Sequence, residues 1–321
     1  MKQGIFILCV LTLFGCRELT IQQELPKRKA QTVQLKYAEG FSVEDYNGGK
    51  VLKILKPWPK SEKITSYVIA PEELVSIFKE SDHFDYVIPR SLQKIVATST
   101  PHLPALELLG VENRLVGFPG CDYISYEKTR KRIDNGEVRE LGKNEGINTE
   151  VLLELDPDLI ISFGVDGTNK SMETIERAGV PVIYNGDWVE SSPLAKAEWI
   201  KFFGVLFNKE KEADSIFSVI EKDYLEAKDS AKDVAIRPTI LSGAMYKDVW
   251  YLPSGSSPEA QFLKDANVDY LRSDTESNGS LSLSFEGVFE KGQNADIWLS
   301  PSYYKNLKDL EDANAHYKEF K

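Results

Sequence analysis

The sequence of 321 residues has few of the residue types that form metal cages, with three cysteines and three histidines. The histidines, His83, His102 and His316, lie far apart, and no HExxH, CxxC or histidine-rich loop occurs. This argues against a site for bare zinc or manganese, which needs several clustered ligands. No GxSxG, P-loop or GxGxxG motif occurs either, so common signatures of hydrolases and nucleotide-binding enzymes are missing. We therefore predict no metal site, no cofactor and no catalytic residue.

Basic residues are outnumbered by acidic residues. Lysine and arginine total 39 against 50 aspartate and glutamate residues, which gives a formal net charge of −11. An acidic chain of this kind is a poor candidate for nucleic-acid binding. The length fits one large or two medium domains, and 42% hydrophobic residues are enough for a sizeable core.

The chain also lacks a hydrophobic run long enough to span a bilayer. The apolar run Ile5–Leu13 follows Lys2 and ends in the sequence LFGC, whose cysteine is Cys16. This arrangement resembles a bacterial lipobox, although Phe14 is bulkier than usual there. It predicts a signal peptide over residues 1–15, lipidation of Cys16 and a polar tether over residues 16–30. An ordinary signal peptide or a buried cysteine is the alternative.

This reading places the protein in the bacterial cell envelope, anchored to a membrane and facing the periplasmic or extracytoplasmic side. Stable anchoring takes more than one acyl chain, which a lipoprotein cysteine carries. With Cys9 removed and Cys16 lipidated, Cys121 remains alone, so no intrachain disulfide is expected.

Strand-like segments and an NGG turn signal over residues 31–92 predict a small N-terminal β extension, with a short helix at residues 72–80. Strands and helices alternate over residues 93–192, which predicts a first lobe with a mainly parallel sheet. Residues 193–235 read as a linking helical region, with one helix from about Pro193 to Phe207. Residues 236–321 read as a second lobe. The chain ends within an expected helix, Leu307–Phe320, and we expect that this lobe continues further.

A long helix between two similar units organises this plan. Residues 209–232 contain no glycine or proline and carry apolar residues at helical spacing, which predicts a helix of about 36 Å. The segments TEVLLELDPDLIISF before it and FEGVFEKGQNADIWLS after it both read as a helix and then a buried strand. Glu150 and Glu286 begin the two helices, and Asp158 and Asp296 precede the two strands. The repeat favours two α/β lobes joined by a rigid helix.

The strings IVATSTPHLPALELLG, GINTEVLLELDPDLIISFG and DWVESSPLAKAEWIKFFG resemble the class III periplasmic substrate-binding lipoproteins of ABC importers for iron–siderophore, haem and cobalamin uptake. The resemblance covers roughly residues 93–321. It implies two Rossmann-like lobes joined by one long helix, no enzymatic activity, and an inter-lobe cleft. A ferric siderophore, haem or corrinoid would bind there and pass to a membrane permease.

The resemblance also implies roles for individual residues. One exposed glutamate on each lobe would dock on the permease, here Glu150 and Glu286; the alternative is that both are ordinary carboxylates at helix starts. Strand-end loops would line the cleft, where ligands of parallel sheets sit and where aromatic side chains suit a large chelate. The candidates are Thr98, Ser99, Thr100, Pro119, Tyr123, Phe163, Asp166, Asp187 and Trp188 in the first lobe, and Met245, Trp250, Tyr251 and Tyr303 in the second.

Two other classes of protein stay open on the sequence alone. A two-lobe α/β enzyme, such as a glycosyltransferase, is compatible with the element order because a fold does not fix a function. A purely structural surface lipoprotein is the other. His102, at a helix start after a predicted strand, either faces the cleft and touches a haem or corrinoid metal or is an ordinary helix-start histidine.

Overall fold

The computed structural model describes residues 32–81, 83–167, 169–277, 279–299, 304 and 306–320. Cys16 and Tyr303 lie outside these residues. Across the described ranges, each helix is either too short or too polar to pass through a bilayer.

The N-terminal extension is a five-stranded sheet in the order β1-β2-β3-β4-β5, antiparallel except for the parallel pair β4–β5. The NGG turn joins its second and third strands, with Asn47 and Gly48 both at positive φ. A helix, α1 (Glu72–Lys79), connects the last two strands. The strands are β1 (Thr32–Val33), β2 (Phe41–Tyr46), β3 (Gly49–Ile54), β4 (Thr65–Ala70) and β5 (Tyr86–Pro89).

The N-terminal lobe is built on a parallel five-stranded sheet in the order β12-β11-β6-β7-β8, with β9 and β10 forming a separate antiparallel pair. Its inner strands are short runs of aliphatic residues, as expected for strands covered on both faces. The strands are β6 (Ile95–Ala97), β7 (Leu115–Phe118), β8 (Arg139–Glu140), β9 (Gly142–Lys143), β10 (Gly146–Ile147), β11 (Leu159–Ser162) and β12 (Val182–Tyr184). The helices are α2 (Leu103–Leu108), α3 (Glu127–Asp134), α4 (Thr149–Glu154) and α5 (Lys170–Arg177).

The linking region contains α6 (Pro193–Glu198), α7 (Ile200–Leu206) and α8 (Glu210–Ala231). The single helix predicted from Pro193 to Phe207 is wrong, because the helix is interrupted at Trp199. The Trp199 ring is buried against Phe41 of the extension, 4.6 Å between centroids, and its indole N–H donates to Glu190 over 2.9 Å. These contacts fix the turn between α6 and α7.

The C-terminal lobe has a parallel sheet in the order β16-β13-β18 and an antiparallel sheet in the order β14-β15-β17. The helix predicted over Leu307–Phe320 is shorter, because Asn314 is extended and a 3-10 turn, Ala315–Glu319, follows it. The strands are β13 (Thr239–Ser242), β14 (Ala244–Tyr246), β15 (Val249–Pro253), β16 (Asp269–Tyr270), β17 (Ser280–Leu283) and β18 (Ile297–Leu299). The helices are α9 (Pro258–Asp265), α10 (Phe285–Gly292) and α11 (Leu307–Ala313).

The long helix α8 spans both lobes. Its first half buries Ala213 and Phe217 in the core of the N-terminal lobe. Its second half meets α9, where Tyr224 donates to Asp265 over 2.7 Å and Lys228 pairs with the same carboxylate at 2.9 Å. At about 1.5 Å per residue the 22-residue helix is roughly 33 Å long, which suits a bridge between lobes.

The extension and the N-terminal lobe share one hydrophobic core, whereas the C-terminal lobe has its own around Trp250. The parallel sheets of the two α/β lobes and the helix α8 confirm the fold class predicted from the sequence, and the C-terminal lobe adds an antiparallel sheet to it.

Candidate ligand-binding site

The carboxyl ends of β6, β11 and β12 meet at one edge of the N-terminal sheet. The amide of Thr98 donates to the Ile161 carbonyl over 3.1 Å, and that of Asn185 donates to the Ser162 carbonyl over 2.8 Å. The hydroxyl of Thr98 lies 3.3 Å from that of Ser162 and donates to it. These bonds hold the strand-end loops side by side, where ligands of parallel sheets bind.

Several predicted ligand contacts of this lobe offer surface at that edge. Ser99, Thr100 and Phe163 are half-buried, and Asp166 is exposed. Thr98 is 2% exposed and its hydroxyl is already used by Ser162, so it positions the loop and has little surface for a ligand.

The loop after β7 projects one aromatic side chain. Glu140 at the end of β8 accepts the amides of Gly120 and Cys121 at 2.8 and 2.7 Å. Burial alone would raise the pKa of Glu140, but these backbone donors outweigh it and lower the pKa, so the carboxylate stays ionised. The loop is thereby fixed with Tyr123 83% exposed, while Pro119 is buried. Tyr123 thus offers an exposed aromatic ring beyond the end of β7.

The loop after β12 contains Asp187 and Trp188 in a 3-10 turn. The Asn185 side-chain oxygen accepts the Asp187 amide over 2.9 Å, which shapes the turn. Burial raises the pKa of Asp187 to about 6, against the lowering influence of Lys196. The indole of Trp188 is half-buried and its N–H has no partner among the described residues.

His102 lies in the core and not in the cleft. It has no exposed surface, it contacts the Phe203 ring at 5.9 Å, and burial lowers its pKa to about 3. Neither ring nitrogen has a hydrogen-bond partner among the described residues, and the enclosed ring has no access to a ligand metal. Within the described residues, no three acidic, histidine or cysteine side chains are grouped as a metal site would require.

The predicted contacts of the C-terminal lobe differ in exposure. Tyr251 is 43% exposed and Met245 is half-buried. Trp250 is fully buried, with its indole N–H donating to the Ser242 carbonyl over 3.0 Å. The structure therefore corrects the prediction for Trp250, because β15 points alternate side chains to opposite faces and this one points into the core. Tyr303 lies outside the described residues.

Sequence reasoning missed a polar cavity of about 790 Å³ that both lobes line. The N-terminal lobe contributes Ser191 and Ser192, and the C-terminal lobe contributes Arg237, Ser256 and Lys264, among others. None of the predicted ligand contacts lines it. Its size is in the range of small-molecule sites. The sequence ESSP before α6 could have indicated this place, because Ser192 caps a helix that begins at the boundary of the N-terminal lobe.

Glu150 and Glu286 occupy equivalent positions in the two lobes. Each is exposed and is the second residue of its helix, α4 or α10. Hydrogen bonds from its own backbone amide and from Ser284 lower the pKa of Glu286. Two exposed carboxylates are thus presented at corresponding helix starts.

Comparisons with known proteins identify the core of the chain. Residues 95–312 match the sequence model of a family described as periplasmic binding protein. An uncharacterized lipoprotein of Methanocaldococcus jannaschii is 26% identical over 253 residues, which cover 76% of this chain and 60% of the relative. Another uncharacterized lipoprotein of that organism is 26% identical over 240 residues, covering 69% of this chain and 59% of the relative. The chain thus spans about three fifths of the length of these relatives.

Solved structures share the fold. A periplasmic haem-binding protein of Pseudomonas aeruginosa has a TM-score of 0.54 at 17% identity, covering 70% of this chain and 79% of that one. An ABC-type Fe³⁺-hydroxamate transport system of Saccharomonospora viridis has a TM-score of 0.53 at 17% identity, covering 71% and 81%. A possible iron-binding (periplasmic solute-binding) protein of Staphylococcus epidermidis has a TM-score of 0.52 at 16% identity, covering 71% and 85%.

Proposed function

The chain belongs to the periplasmic binding protein family, and from this membership we propose that it captures a metal–organic chelate between its lobes and delivers it to an ABC-transporter permease. The observation that carries the proposal is the family match itself, which includes both lobes and the helix between them. The family consists of solute-binding proteins and not of enzymes, so the enzyme alternative is set aside.

The proposed ligand is a ferric siderophore, a haem or a corrinoid. Structurally similar proteins are named for haem binding and for ferric hydroxamate transport, which supports this class. Half-buried or exposed aromatic rings follow strands of the N-terminal lobe at Tyr123, Phe163 and Trp188, and Tyr251 within β15 adds one from the C-terminal lobe. Such rings suit a large conjugated or chelated ligand, which brings its own metal and needs no histidine cage.

The proposed docking residues are Glu150 and Glu286. A pair of exposed carboxylates held by one long helix suits a permease with two equivalent basic patches, because complementary charge sets orientation and register. Lys and Arg partners on the permease would complete these contacts.

The proposed attachment is a lipid on Cys16, which would hold the protein at the extracytoplasmic face of a membrane. Two relatives are named as lipoproteins, which supports the anchor. Cys16→Ser is expected to move the protein from the membrane fraction to the soluble fraction. Unchanged partitioning of this variant would refute the anchor.

A thermal-shift panel tests the ligand class. The mature protein is heated with haem, cyanocobalamin, ferric hydroxamate and ferric catecholate siderophores, a sugar, an amino acid and free zinc. A chelate at about 100 times its dissociation constant should stabilise the fold by roughly 2.7 kcal/mol, and the others should not. A shift with the sugar, the amino acid or zinc alone would contradict the proposal.

A further inference from the structure

A segment of the N-terminal extension lies over the ligand edge of the N-terminal lobe. Residues 56–58 connect β3 towards β4 and pass across the loops that follow β11 and β12. A methyl group added to Gly164 would lie 2.5 Å from the Trp58 ring, and one added to Gly186 would overlap the carbonyl group of Lys56. Only glycine permits so close an approach at these two positions. The extension and the strand-end loops therefore fit directly against each other.

The Trp58 ring stands against the last residue of β12. Its centroid is 5.4 Å from that of Tyr184, and the two rings are nearly perpendicular at 86°. This is a favourable edge-to-face contact, and Trp58 remains half-buried, so some of the residue is still exposed. Because Gly164 and Gly186 each follow a strand by two residues, that ring sits at the carboxyl edge of the sheet.

Three side-chain donors at and after the end of β12 have no hydrogen-bond partner among the described residues, as do atoms of Arg90, His102 and Glu112 elsewhere in the chain. Among the described residues, the Tyr184 hydroxyl, the Asn185 side-chain amide and the Trp188 indole N–H are buried and unpaired. Tyr184 is 7% exposed and Asn185 has no exposed surface. Buried donors in native proteins almost always have an acceptor. Of these three residues, Trp188 is the one with appreciable exposed surface, so its indole N–H is the donor best placed to meet an acceptor atom from outside the chain.

The extension is held rigidly enough to present a side chain to a ligand. Glu198 of α6 is fully buried and accepts the amides of Lys36, Tyr37 and Ala38 at 2.8–3.0 Å. Glu190 accepts the next amide, that of Glu39, at 3.0 Å. These hydrogen bonds to Glu198 and Glu190, together with the shared hydrophobic core, fix the position of the extension relative to the strand-end loops.

We propose that Trp58 contacts the ligand, so that the β extension, which lies outside the matched residues 95–312, forms part of the cleft wall and helps to set specificity. This inference rests on the proposed function. Trp58 supplies an aromatic face for a conjugated or apolar surface of the chelate, and the indole N–H of Trp188 donates to an acceptor oxygen at its periphery. Carboxylate, carbonyl or hydroxamate oxygens are the groups that fit.

The test compares three variants with the wild type by calorimetric titration of whichever chelate the wild type binds. Trp58→Ala should weaken binding at least about tenfold, whereas Trp58→Phe, which keeps an aromatic face, should stay within about threefold. Tyr46→Ala is the matched control. Tyr46 is an aromatic residue of the same extension, but it packs on Phe84 in a separate cluster. The Tyr46→Ala variant should therefore bind the chelate with unchanged affinity.

The outcomes separate this inference from the proposed function. If the wild type binds no chelate, the proposed function fails and this inference fails with it. If the wild type binds a chelate and Trp58→Ala binds it equally well, only the role of Trp58 is overturned. An equal loss in Tyr46→Ala would also overturn it, because the effect would then come from a loosened extension.

Hydroxyl-radical footprinting of the wild type decides the matter if Trp58→Ala does not fold. Bound chelate should reduce oxidation of Trp58 several-fold and leave that of Tyr46 unchanged. Equal oxidation of Trp58 with and without ligand would overturn the contact.

Discussion

The two helix–strand units of the chain, α4 with β11 and α10 with β18, share their hydrogen bonds but not their burial. In the first, Asn148 accepts the Val151 amide at 3.1 Å; in the second, Ser284 accepts the Gly287 amide at 3.2 Å. Each N-cap is followed two residues later by an exposed glutamate.

The strand starts are also alike. Asp158 accepts the Lys94 amide at 2.8 Å, just before β6, and Asp296 accepts the Thr239 amide at 2.8 Å, at the start of β13. Each aspartate thus ties its own strand to the parallel neighbour. The same polar pattern in the sequence therefore gives the same local structure twice.

Burial is where the units differ. All four residues of β11 are buried within a five-stranded sheet, whereas β18 is an edge strand of a three-stranded sheet, with Ile297 45% and Leu299 43% exposed. The helix cap and the strand pairing are alike in both units, and each unit places its glutamate in the first turn of the helix. This placement is therefore independent of the difference in burial between β11 and β18.

The largest loss of stability should come from a substitution in β11, the more deeply buried of the two strands. Leu159→Ala, in the first residue of β11, should cost about 3 kcal/mol of stability, because it opens a cavity in a closed core. Ile297→Ala, at the equivalent position of β18, should cost less than about 1 kcal/mol, because that side chain is half exposed already. Urea unfolding of both variants measures this. Equal costs would contradict the asymmetry.

The next effect concerns Glu198, the carboxylate of α6 that binds the extension to the linking region. Burial would raise the pKa of Glu198, but the amides of residues 36–38 and Lys201 outweigh burial and lower it. We expect Glu198→Gln to cost about 2–3 kcal/mol at pH 7, since it removes a buried, hydrogen-bonded charge. Exposed Glu73→Gln is the control and should change little.

The pH dependence of the Glu198 effect has a definite sign. A carboxyl group with a lowered native pKa stabilises the fold fully above its unfolded pKa of about 4.3 and loses that contribution as the pH falls through its native value. The stability difference between wild type and Glu198→Gln should therefore shrink below about pH 4. A difference that stays constant from pH 7 to pH 3 would show that the charge is not responsible.

The helix caps should have smaller and equal effects. Asn148→Ala and Ser284→Ala each remove one side-chain acceptor from the first turn of a helix, and each should cost about 1 kcal/mol. Thermal unfolding followed by circular dichroism can compare them. A clearly larger cost in one unit would show that the caps are not equivalent.

The sequence predicted what depends on local pattern. The long helix α8, the buried strands and the repeat followed from apolar spacing, glycine and proline placement and capping residues. The break at Trp199 did not, because it depends on the ring packing against Phe41, which lies in the distant extension. The interruption at Asn314 likewise reflects an extended residue within a pattern that reads as helical.

Side-chain direction limited the site prediction. Tyr251 and Trp250 are neighbours in sequence, yet one is 43% exposed and the other fully buried, since a strand alternates its faces. Trp58 lay outside the stretch with a family resemblance, so nothing local connected it with the strand-end loops. Contacts between distant segments, such as Trp58 with Gly164, are set by tertiary packing that a single sequence does not display.

The most direct test of the account asks whether the equivalent glutamates act in delivery alone. Glu150→Lys and Glu286→Lys, singly and together, are compared with Glu154→Lys and Glu290→Lys, which make the same charge change one turn later on the same helices. Ligand affinity is measured on the purified proteins, and ligand uptake is measured with the cognate permease in proteoliposomes. We predict that the Glu150→Lys, Glu286→Lys double variant keeps its ligand affinity within about twofold and its stability within about 0.5 kcal/mol, yet loses uptake, because like charges meet at the docking surface. The control variants should transport normally. Normal uptake by the double variant, or a parallel collapse of ligand binding, would contradict the docking role of Glu150 and Glu286.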